Sequence, residues 1–138
     1  MMKGIRLHHV GYTVANIRVS SEQFALLGYQ ASDILYDEKL RVELCYLMKD
    51  NSPVIELVHQ FQDDSLEADL LRSGGVMPYH LGYEAEAFDE ACEVLEKQGY
   101  KRLFDPVAVE VLHGIRICYF HHPSIGYIEL LENTKNHQ

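Results

Sequence analysis

His9-Val10-Gly11-Tyr12 returns as His80-Leu81-Gly82-Tyr83, 71 residues later. Gly28-Tyr29 returns as Gly99-Tyr100 at the same offset, and Cys45-Tyr46 as Cys118-Tyr119 at an offset of 73. Ile55-Glu56-Leu57 returns as Ile128-Glu129-Leu130, also at 73. Four landmarks in one order, drifting by only two residues, mark an internal duplication. Two similar modules can bring equivalent residues together across a pseudo-twofold axis. Here those residues are two histidines and two glutamates, a set suited to a divalent metal.

The 138 residues suit one domain. We read it as a single domain over 1–138, with module one at about 5–60, a linker helix at about 61–76 and module two at about 77–132. With 47% hydrophobic and 24% charged residues, the composition is that of a globular protein. The formal net charge of −9 argues against nonspecific nucleic-acid binding, which needs a basic face. No apolar run approaches the roughly 18 residues of a membrane span, and Met1-Met2-Lys3-Gly4-Ile5 runs straight into a strand pattern. The expectation is a cytoplasmic protein that does not engage a membrane. Cys45, Cys92 and Cys118 form no Cys-x-x-Cys pair and read as reduced, packed thiols.

Periodicity predicts the same order of elements in each half. Arg6–Val14 reads as a strand and Asn16–Leu27 as a helix, capped by Ser20 or Ser21 and stopped at Gly28. Tyr29–Tyr36, Val42–Met48 and Val54–His59 read as strands. Asp63-Asp64-Ser65 starts the linker helix, and Gly74-Gly75 closes it. Module two repeats the order with strand Pro78–Glu84 and helix Phe88–Gln98, then strands Lys101–Phe104, Ile115–Phe120 and Tyr127–Leu131. Pro106–Gly114 reads as a loop over the site, and the polar tail after Glu132 as frayed.

Val10, Leu81, Ile55, Ile128, Leu57 and Leu130 are apolar in both copies and should pack under the helices. Alternation along a strand then forces His9, His80, Glu56 and Glu129 to the other face. A carboxylate on a half-buried strand costs several kcal/mol unless paired or ligated. Two imidazoles and two carboxylates suit Co, Ni, Zn or Mn, and four ligands on a six-coordinate ion leave two positions for substrate.

These residues resemble the vicinal oxygen chelate superfamily, the group containing glyoxalase I, methylmalonyl-CoA epimerase, extradiol dioxygenases and bleomycin-resistance proteins. The similarity runs from Leu7 to Glu132 through Leu7-His8-His9-Val10-Gly11-Tyr12, Ile55-Glu56-Leu57-Val58, Tyr79-His80-Leu81-Gly82-Tyr83 and Tyr127-Ile128-Glu129-Leu130-Leu131. The stretch from Ile117 to Glu129 looks most like the epimerase branch. The resemblance implies an α+β fold, two tandem βαβββ modules forming a curved open sheet around a metal site, with helices on the outer face. It picks His9 over His8 and gives His9, Glu56, His80 and Glu129 as ligands of one divalent ion.

The implied reaction is proton transfer α to a carbonyl through a metal-stabilised enolate. Its substrate is an acyl-CoA thioester, as in methylmalonyl-CoA epimerase, or a hemithioacetal, as in glyoxalase I. A small-molecule binding or resistance protein is the non-catalytic alternative. Glu129 or Glu56 can serve as base. Val42-Glu43-Leu44 aligns with an epimerase strand that can carry a catalytic glutamate, so Glu43 is a third candidate. Its repeat partner is Arg116, and an ion pair between them is the plainer role. A substrate contact by His113, and a phosphate contact by Lys101 or Arg102, are further expectations. A homodimer is implied by resemblance alone.

Overall fold

A computed structural model describes residues 1–134 of the chain. It has three α-helices and ten strands in open, mixed sheets, an α+β arrangement. The chain divides into two compact units, residues 9–79 and residues 1–8 with 80–138.

In the unit of residues 9–79, the elements are β1 (Ile5–Thr13, from His9 onward), α1 (Ile17–Ala25), β2 (Gln30–Ala31), β3 (Leu35–Asp37), β4 (Val42–Met48), β5 (Ile55–Gln60) and α2 (Leu66–Gly74). The strand order is β2-β4-β5-β1, with β3 also on β4. β1 and β5 run parallel, placing Gly11 beside Glu56, while β4 and β5 form an antiparallel pair. One face buries Val14, Cys45, Leu47, Ile55 and Leu57 with Ile17 of α1. Phe24 of α1 meets Tyr12 and Tyr29 edge to face, at 5.4 and 5.7 Å between ring centroids.

Two expectations for this unit are corrected. The cap of α1 is Asn16, whose side-chain oxygen accepts from the Val19 N–H at 3.1 Å, so Ser20 and Ser21 lie inside the helix. Leu27 is exposed, leaving Ile17 and Phe24 to pack. The single strand expected at 29–36 is broken into β2 and β3. At the break Ser32 holds β4 on both sides of Tyr46: its N–H donates to the Tyr46 carbonyl at 2.8 Å, and its Oγ accepts from the Tyr46 N–H at 2.9 Å.

The other unit carries β6 (Met77–Ala85, from His80 onward), α3 (Phe88–Lys97), β7 (Lys101–Arg102), β8 (Val107–Val109), a 3-10 turn (Glu110–Leu112), β9 (Ile115–His122) and β10 (Gly126–Glu132). The order β6-β10-β9-β7, with β8 on β9, repeats that of the first unit. Its core joins Phe88, Ala91, Cys92 and Leu95 of α3 to Cys118, Phe120, Ile128 and Leu130, with Met2 and Ile5 packed against it. The stretch expected as a loop at 106–114 is strand β8 and the 3-10 turn instead, because Val107 and Val109 pair with Ile117 and Ile115. Asn133 is not frayed: its N–H donates to the Ala85 carbonyl at 3.0 Å, while residues 135–138 of the expected tail lie outside the described residues.

Gly28 and Gly99 follow α1 and α3 at equivalent positions with φ of 94° and 90°, a conformation that costs other residues strain. The three cysteines are free and buried. Burial pushes the Cys45 thiol up. Cys118 is pushed up by its bond to the Cys92 thiol and by burial, which suits packing rather than nucleophilic roles.

Arg116 donates to both oxygens of Asp89 at 3.1 Å and to Glu132 at 2.9 Å, so its partners are these two acids and not Glu43. The Arg116 bonds hold the Asp89 carboxyl below its ordinary value. A depressed carboxyl stabilises the fold above its unfolded value, about 4, and loses that contribution as pH falls through the lower folded value. The stability difference between wild type and Asp89→Asn, read by denaturant melts across pH, should therefore be present at neutral pH and close below about pH 4. Asn16→Ala should cost about 1 kcal/mol in the same melts, whereas Ser20→Ala should cost no cap energy.

Candidate metal centre

Each unit carries one buried histidine–glutamate pair, built the same way. In the first, β1 and β5 run parallel with Gly11 beside Glu56, and His9 lies two residues back on the same face. Glycine brings no side chain between the neighbouring imidazole and carboxylate. His9 Nε2 stands 3.4 Å from Glu56 Oε1, and the two side chains are 0% and 4% exposed. In the second, β6 and β10 place Gly82 beside Glu129, and His80 Nε2 stands 3.3 Å from Glu129 Oε1 with matching burial. All four side chains expected as ligands are buried, and each offers an atom that can ligate a metal.

The spacing within each pair fits a metal. Charge-assisted N–H···O bonds are about 2.7–2.9 Å long. Two ligand atoms each about 2.1 Å from one ion, at octahedral to tetrahedral angles, stand about 3.0–3.4 Å apart. The observed 3.3 and 3.4 Å match the second geometry. The donor set also suits a divalent ion, since each neutral imidazole comes with an anionic oxygen.

Two tyrosines were missed by the sequence reading as site residues. Tyr46 lies directly across from Glu56 in the β4–β5 ladder, and its hydroxyl donates to Glu56 Oε2 at 2.7 Å. Its ring stands edge-on to His9, 6.2 Å between centroids. Tyr119 lies across from Glu129 in the β9–β10 ladder, with its ring 5.1 Å from that of His80. The signal was the repeated Cys-Tyr dipeptide, in which the cysteine packs under the helix and the tyrosine must therefore face the glutamate.

Glu43 is not brought to the Glu56 face. In the β4–β5 register it opposes His59, in the same alternate row as Cys45 and Leu47, which pack on the helix side. Strand alternation places it on the face of β4 opposite the one that meets Glu56. His8 alternates to the face of β1 opposite His9. His59 Nδ1 lies 3.0 Å from the Val14 carbonyl. His113 is exposed, in a left-handed conformation after the 3-10 turn. Arg102 is engaged by Glu96 and Asp105 and lies over the Phe120 ring, while Lys101 is exposed. No helix among the described residues is long and apolar enough to cross a membrane.

Comparison with known proteins places this geometry. A family model described as the glyoxalase/bleomycin resistance protein/dioxygenase superfamily matches residues 8–119. No curated protein sequence matches the chain. Among solved structures, methylmalonyl-CoA epimerase from Mycobacterium tuberculosis is similar at 24% identity and a TM-score of 0.76, covering 94% of this chain and 89% of that one. A hypothetical protein from Bacillus halodurans is similar at 20% identity and a TM-score of 0.78, covering 95% and 96%. A variant of Streptomyces coelicolor methylmalonyl-CoA epimerase, solved with 2-nitronate-propionyl-CoA, is similar at 19% identity and a TM-score of 0.76, covering 94% and 95%.

If the pairs are ligands, His9→Ala and His80→Ala should each weaken divalent-metal affinity by tenfold or more, on the order expected for a lost ligand, while His8→Ala should not. Titration calorimetry reads both, and equal behaviour of the His8 and His9 variants would overturn the assignment.

Proposed function

Because the chain belongs to the glyoxalase/bleomycin resistance protein/dioxygenase superfamily, we propose that it is a divalent-metal-dependent enzyme that moves a proton α to a carbonyl. The observation that carries this reading is the duplicated buried pair, His9 with Glu56 and His80 with Glu129. We assign all four to one ion of Co, Ni, Zn or Mn. A divalent ion in such a set supplies Lewis-acid polarisation of the substrate carbonyl and stabilises charge developing on its oxygen.

The protein's part follows from its own side chains. His9 and His80 present Nε2, and Glu56 and Glu129 present Oε1. Near-complete burial keeps water from the carboxylates and strengthens every charge interaction among them. A carboxylate, Glu129 or Glu56, takes the α-proton and returns it, to the opposite face in an epimerase. The substrate we favour is an acyl-CoA thioester. Two of the similar structures are methylmalonyl-CoA epimerases, and one of them is solved with a CoA compound.

The superfamily also accommodates a second reading, a glyoxalase I-like lyase acting on a hemithioacetal.

The test begins with elemental analysis after chelator stripping and refilling with Mn, Co, Ni and Zn. About one ion retained per chain is the expected stoichiometry for one site with four ligands. The loaded protein should then exchange the α-proton of methylmalonyl-CoA, or of a glutathione hemithioacetal, for deuterium in heavy water. No retained ion would overturn the reading, and exchange with only the hemithioacetal would select the lyase.

A further inference from the structure

We infer that Tyr46 is a positioning residue that restricts Glu56 to a single ligating oxygen. The inference rests on the metal reading proposed above. A carboxylate has two oxygens, and the terminal torsion of a glutamate is soft. Left alone, Glu56 could bind an ion through both oxygens or swing away from it. The Tyr46 hydroxyl donates to Oε2 at 2.7 Å, while Oε1 is the atom beside His9 Nε2. With Oε2 engaged, Oε1 is the oxygen presented next to the imidazole.

The tyrosine is itself held in place. It lies directly across from Glu56 in the β4–β5 register, and Ser32 grips its backbone through both the N–H and the carbonyl. The break between β2 and β3 frees Ser32 for this task, because its Oγ takes a backbone donor of β4. A chain of short contacts thus runs from the strand break through Tyr46 to the carboxylate. With Glu56 held in this way as a ligand, Glu129 becomes the one of the two carboxylates left to take the substrate's proton.

Cobalt(II) titration of the stripped full-length protein tests this, with affinity read by chelator competition and geometry by the visible absorption spectrum. Tyr46→Phe removes one oxygen and keeps the ring. It should weaken cobalt binding about 10- to 100-fold, the usual cost of losing an outer-shell partner, and change the spectrum as Glu56 gains a second ligating oxygen or loosens. On a Glu56→Gln background the same change should add little, since Tyr46 acts through Glu56.

A tyrosine that merely fills space would lower the melting temperature and leave affinity and spectrum as in wild type, which overturns the inference. Wild-type protein that takes up no cobalt overturns the metal reading itself, and this inference with it. Should Tyr46→Phe not fold, Ser32→Ala, which leaves the ring intact, should show a smaller spectral change in the same direction. A wild-type spectrum in that variant overturns the role.

Discussion

The parallel register that sets Gly11 beside Glu56 governs most of what this structure does, and β6 and β10 repeat it with Gly82 beside Glu129. In a parallel ladder, side chains at aligned positions share a face. Fixing that one alignment places the histidine two residues earlier on the carboxylate's side and sends Tyr12 and Val14 to the helix. A slip of one residue would exchange the two sets, turning the apolar row to the carboxylate's side and the imidazole toward α1. The core contributes to that choice: Val14, Cys45, Leu47, Ile55 and Leu57 are buried together with Ile17 and fit only one alternation. Packing on one side of the strands thus positions chemistry on the other.

Burying two carboxylates is expensive. Charges withdrawn from water need partners of good geometry. Each glutamate has an imidazole within 3.4 Å on one strand and a tyrosine across the next. In each pair an imidazole nitrogen stands beside a carboxylate oxygen, the donor types that suit a divalent cation.

The duplication, both helix stops, the start of the linker helix at Asp63-Asp64-Ser65 and the four buried ligand-type residues were legible in the sequence, because each depends on local residue type, spacing or alternation. Two kinds of feature were not. Side-chain bonds to the backbone decided local details, as when Asn16 rather than a serine capped α1 and Ser32 split a strand. Pairing with a distant strand decided others: Val107–Val109 has no helix or strand periodicity of its own and becomes β8 only against β9. Glu43 was a different case. Its alternation with Cys45 already put it on the packed side, but an alignment to a related strand pointed the other way.

The two-residue drift in the repeat offset has a place in the structure. It arises between Gly99 and Cys118, the stretch holding β7, β8 and the 3-10 turn, and not within β6, β9 or β10. The ladders that aim histidine and glutamate match between the halves, while the connection beside them differs in length by two residues. Length can be added there without moving a ligand, so this connection is where descendants of the duplicated chain are free to reshape what surrounds the site while inheriting its centre unchanged.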